Sequence, residues 1–140
     1  MQRIPGGVLI GLALAPTLAL ADDLDAVRRM SICGPRCVQR VLEFYGQKED
    51  LATLVREMQG GVVNEFSSFH GIEEALSRRG VHALPVQYGV LGFPNWREPV
   101  ILHYREGHFV VLSETKGGFV KIHDGILHPP TWEPLPSVML

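Results

Sequence analysis

Cys33, His108 and Asp124 are the residues of this chain whose types and positions suit nucleophilic chemistry. Cys33 opens the stretch CGPRCVQRVLEFYG, residues 33–46, which reads as an amphipathic helix. Val38, Val41, Leu42 and Tyr45 recur at three- and four-residue intervals, while Arg36, Gln39, Arg40 and Glu43 fall mainly on the other face. Ser31 is the expected N-cap, Pro35 is tolerated in the first turn, and Gly46 supplies a left-handed stop. Cys33 is thereby set at the helix mouth, where unpaired N–H groups and the positive end of the dipole favour a thiolate over a thiol. Cys37, one turn on, points inward and reads as packing, as most lone helical cysteines do.

The partners come from strands. In HFVVLS, residues 108–113, His108 shares a face with Val110 and Leu112; in FVKIHD, residues 119–124, Asp124 shares one with Val120 and Ile122. His108 opens the first strand and Asp124 closes the second, so an antiparallel hairpin brings both to one end of the sheet. A histidine beside a carboxylate, facing a helix-mouth cysteine, has the composition of a Cys-His-Asp triad. The thiolate attacks a carbonyl, the imidazole pairs with it and later protonates the leaving amine, and the carboxylate fixes the tautomer.

Several elements must position these groups. Residues 1–21 read as an export signal outside the fold: Arg3, an apolar run VLIGLALAPTLAL, then Ala19-Leu20-Ala21 before two aspartates. Pro5, Gly6, Gly7 and Pro16 interrupt that run, which argues against a spanning helix. Residues 22–140 form one domain by length. They carry 12 basic and 15 acidic side chains, a formal charge of −3, with no clustering that suggests a nucleic-acid surface. Cysteines four apart on one helix have nearly parallel Cβ vectors, so both thiols are expected reduced. Residues 49–58 and 68–79 read as two further helices, the second opened by Ser67 or Ser68 and stopped by Gly80. Residues 81–87 alternate weakly around Pro85 and read as an edge strand, and 89–97 as a loop. Strands at 99–104, 108–113 and 119–124 are joined by short turns as an antiparallel meander, and the proline-rich stretch beyond Gly125 is expected to cover one side of the sheet. Helices first and strands afterwards give an α+β domain.

At this point the chain resembles the papain-like cysteine peptidases that remove double-glycine leader peptides from bacteriocin and related precursors. That family has a CG-x-x-A/C helix start, a V-L-x-F/Y-Y/H-G helix end, two small helices, a strand H-F/Y-V/I-V-L/I and a strand ending I/V-x-D-P. This chain offers CGPRCVQRVLEFYG, FSSFHGIEEALSRRG, GHFVVL and KIHDG, in order and across nearly all of residues 22–140. The resemblance implies a papain-like fold with Cys33 as nucleophile, His108 as general base and acid, and Asp124 as the orienting residue. Two positions depart from the pattern. The family places an oxyanion-donating glutamine six residues before the nucleophile, where this chain has Val27, and residue 125 is glycine rather than proline.

Other chemistries fit less well. Cys33 and Cys37 with His103 or His108 lack the spacing of common zinc modules, so no metal or cofactor is expected. His103 reads as a surface or satisfied sheet histidine, and His123 points away from the face of Asp124. Gly60-Gly61 reads as a helix-ending turn. The reading is therefore a periplasmic or secreted cysteine peptidase, cutting a peptide bond after double glycine. The alternative is a weak or inactive module of the same fold holding an extended peptide. The expected partner is a peptide or protein substrate, with no nucleic acid and no stable membrane insertion; the sequence carries no signal for oligomeric state.

Overall fold

A computed structural model describes residues 7–12, 32–59, 67–85, 97–103, 108–124 and 129–134. The helices are α1 (Cys33–Phe44), α2 (Leu51–Gln59) and α3 (Phe69–Ser77). The strands are β1 (Gly7–Leu12), β2 (His82–Pro85), β3 (Val100–His103), β4 (Phe109–Lys116), β5 (Phe119–His123) and β6 (Thr131–Pro134).

The apolar spacing of α1 places Val38, Val41 and Leu42 in the core, all fully buried. They join Ile101, Phe109 and Val111 from the sheet with Leu54, Ile72 and Leu76 from the other helices. Burial of each such side chain is worth roughly 1.5–3 kcal/mol, so this face, rather than capping, fixes the helix. Indeed the residue at the N-cap position is Ile32, which makes no side-chain cap, and Ser31 lies outside the described residues. Gly46 and Gly80 end α1 and α3 at φ +75° and +77°, the left-handed geometry a stop requires. Ser68 caps α3 by accepting the Gly71 N–H. Arg79, just beyond α3, clamps the helices together through Glu49 at 3.0 Å and Glu57 at 2.8 Å.

The sheet runs β2-β1-β3-β4-β5-β6. β2, β1 and β3 are mutually parallel, and β3 to β6 are antiparallel. The class is α+β, and β2 lies at an edge as its proline requires. Gly117 and Gly118 close the β4–β5 hairpin at φ +56° and +80°, the pair of positive angles that a two-residue type I′ turn needs.

One expectation is corrected. The stretch beyond Gly125 does more than cover the sheet: Thr131–Pro134 pairs with β5 as β6. Its proline is tolerated because β6 is an edge strand. In the full-length chain Gly7–Leu12, part of the expected export signal, lies inside the sheet between β2 and β3. A continuous apolar run suits the core of an export signal and a parallel strand equally well, so composition alone cannot separate the two.

Candidate active site

The helix mouth, the start of β4 and the end of β5 converge. Cys33 is the first residue of α1 and only 2% exposed. Phe109, the first residue of β4, donates its backbone N–H to Cys33 Sγ at 3.4 Å. One residue earlier, His108 Nε2 lies 3.0 Å from Asp124 Oδ2. His108 and Asp124 lie just outside the ladder, one before β4 and one after β5, so neither side chain is bound to the pleat. His108 also interacts electrostatically with Cys33, which makes the imidazole the middle member of a set of three. Since Asp124 occupies Nε2, Nδ1 is the ring nitrogen left to serve the thiol.

The electrostatics follow from this. Burial alone would drive His108 down, but the hydrogen bonds and negative charge of Asp124 and Cys33 outweigh it and push the imidazole up to about 9. It is therefore a cation near neutrality, matched to a carboxylate on one side and a sulfur on the other. Cys37 is raised well above the ordinary thiol range by burial, then by the charges of Cys33 and Asp124. It stays a protonated packing residue, as its helical phase suggests.

Residues that sequence periodicity left aside also shape the site. His103 is more than a surface or sheet histidine. It stacks on Phe109 with centroids 4.3 Å apart and meets Phe69 edge-on at 5.1 Å. Burial, then the nearby His108 charge, lowers its pKa and favours a neutral ring in this aromatic wall. Gly34 is a second such residue, since a Cβ there would lie 2.2 Å from the Cβ and Oγ of Ser67. No larger residue fits beside the thiol while Ser67 packs there, and buried Gln59 in turn reaches Ser67 Oγ at 3.4 Å. The Cys-Gly pair was the signal available in the sequence. His123 makes a separate hydrogen bond, to Ser113 Oγ at 2.6 Å. Val27 and Gly60-Gly61 lie outside the described residues. Among the described residues no group of three or more histidine, cysteine or carboxylate side chains is arranged to hold a metal, and no helix is long and apolar enough to cross a membrane.

A family model, the Peptidase C39 family, matches residues 27–131, three quarters of the chain. The chain belongs to the Peptidase C39 family. Searches of curated proteins and of solved structures each found no match. Membership gives this C39 domain cysteine peptidase chemistry as a class, with peptides or proteins as substrates.

Proposed function

We propose that this C39 domain is a cysteine endopeptidase of papain-like fold, with Cys33 as nucleophile, His108 as base and acid, and Asp124 as orienting carboxylate. It acts outside the cytoplasm on a peptide bond after double glycine. The observation that carries the reading is His108, 3.0 Å from Asp124 and followed directly by Phe109, whose backbone N–H reaches Cys33 Sγ at 3.4 Å. The thiolate adds to the scissile carbonyl, and imidazolium gives its proton to the departing amine, leaving a thioester. The imidazole then takes a proton from water as the water oxygen adds to the thioester, which releases the acid and restores the thiolate–imidazolium pair. The Asp124 carboxylate keeps Nε2–H in place, so that Nδ1 faces the sulfur throughout.

The developing oxyanion has the backbone N–H at the start of α1, one of the unpaired donors of a helix N-terminus. Valine at position 27 adds no donor. One such donor is worth roughly 10²–10³ in rate. The unaltered chain is therefore expected to turn over a Gly-Gly peptide slowly, and Val27→Gln to raise the rate toward that factor, measured by release of a fluorogenic leaving group. Brisk turnover by the unaltered chain, or no gain on substitution, contradicts the account of the oxyanion site. Absence of hydrolysis in both, with Cys33 labelled rapidly by a thiol reagent, favours the second reading, a peptide-holding module. The specific observation behind that alternative is the 2% exposure of Cys33, which leaves little of the residue open to a substrate. The export assignment rests on the Ala19-Leu20-Ala21 pattern, and intact mass of envelope protein starting at Asp22 tests it.

A further inference from the structure

The strand that joins β2 to the rest of the sheet is the one an export signal would remove. β1 pairs with β2 from Gly7–His82 to Ile10–Pro85, and with β3 from Leu9–Val100 to Leu12–His103. Among the described residues β2 has no other strand neighbour, and α3 packs against it. Without β1, the facing edges of β2 and β3 stand two strand spacings apart, about 10 Å, with their ladder groups unpaired. Buried backbone donors and acceptors require partners, so such a gap must be refilled or must close.

Three features fit the gap to a peptide. Both rails run the same way, so a strand between them is read in one chain direction. At the entry end, the Tyr45 hydroxyl donates to the Gly7 carbonyl. Burial and then the Glu98 charge keep that phenol protonated, with its pKa up at about 12. A Cβ at Gly7 would lie 3.1 Å from Glu98 Oε2, the end of an exposed side chain that can give way, and 3.6 Å from the His82 carbonyl, so the first docked position suits a small residue. At the exit end, Leu12 pairs with His103, which stacks on Phe109, whose amide rests on Cys33 Sγ. A chain lying in the gap therefore leaves it at the end of the sheet where the thiol sits.

A segment threaded through an export channel cannot also be a ladder strand, so the same six residues have two exclusive destinations. We infer that the gap between β2 and β3 is a strand-binding slot, filled by residues 7–12 in the full-length chain. After removal of the N-terminal segment it is open to an extended apolar peptide with a small residue at its first docked position. This rests on the exported-peptidase reading above and gives it a substrate class: peptides delivered toward Cys33 by strand addition.

The test uses the full chain as Cys33→Ala, with a protease site introduced within residues 13–21 and cut after folding. The probe is a fluorescent peptide of residues 4–14, IPGGVLIGLAL. The uncut chain is expected to bind none, and the cut chain to exchange its own fragment for one equivalent of peptide. Probes carrying Leu9→Pro or Gly7→Val should bind about tenfold or more weakly, having lost a ladder donor or the space beside Glu98. Equal binding to cut and uncut chains overturns the slot, as does undiminished binding of the proline probe. So does a cut chain that sheds its fragment and unfolds, since β1 is then a permanent strand. Backbone amides of residues 7–12 that exchange with solvent as fast as a free peptide in the uncut chain overturn it as well. No readout uses Cys33, so a chain that binds the probe while its wild-type thiol hydrolyses nothing defeats the peptidase reading alone.

Discussion

The β4–β5 hairpin carries two histidines whose partners differ by one functional group. His108 sits against a carboxylate, and His123 against the Ser113 hydroxyl. Burial works against the charged form in both. At His108 the negative partners reverse it and the pKa rises to about 9. At His123 burial prevails, the positive charges of Arg40 and Lys121 add to it, and the pKa falls. Its Nδ1 is also buried with no hydrogen-bond partner among the described residues. The shorter hydrogen bond, 2.6 Å against 3.0 Å, belongs to the histidine that stays neutral. A histidine near a hydroxyl is thus not a base in waiting, because the sign of the neighbouring charge decides.

The sharpest way to break this contrast is to delete each ring. His108→Ala should slow iodoacetamide labelling of Cys33 at pH ~6 by roughly 10²-fold, because the sulfur loses its proton-transfer partner. His123→Ala should leave the rate unchanged. An unfolded His108→Ala variant, seen by circular dichroism, would make His108 structural and cancel the distinction.

A smaller effect follows from the partner. His108 binds its proton more tightly folded, at about 9, than at its ordinary value of 6.5. The native state therefore holds the extra proton between those values. The linked stability is fully present below pH ~6.5 and is lost as pH rises through ~9, on the order of 3 kcal/mol in all. Urea unfolding across that window measures it, and Asp124→Asn should flatten the slope. A slope of equal size in the asparagine variant would show that the carboxylate is not its source. The smallest effect should be at the other pair. Ser113→Ala costs about 1 kcal/mol for one lost hydrogen bond, whereas Ser113→Asp should raise the His123 pKa by roughly 1–3 units in an NMR titration. If Ser113→Asp leaves His123 where it is, position rather than partner charge controls the hairpin's histidines.

What could be read in advance depended on periodicity. The α1 face, the Ser68 cap, the glycine stops and the β3–β4–β5 order are local patterns, and each matches a described element. Cys33, His108 and Asp124 were found by where strands and helices begin and end, and those three ends meet. The main misses are pairings that no local pattern announces. No local signal ties Gly7–Leu12 to two strands more than seventy residues away, or Thr131–Pro134 to β5. The contact of Gly34 with Ser67 and the stacking of His103 on Phe109 likewise arise only once the helices and sheet are assembled.

The two residues beside the thiol at the start of β4 are consecutive: the imidazole comes from His108, just before the strand, and the amide on sulfur from Phe109, its first residue. A single peptide unit, about 3.8 Å between Cα atoms, therefore acts as a rigid gauge for the whole constellation. Changes of length in the connection before residue 108 alter how the chain arrives but leave that gauge untouched. One residue inserted between 108 and 109 would move imidazole and amide apart by a full strand step and turn one of them to the opposite face. Sequence drift in this domain is thus free around the gauge and forbidden inside it.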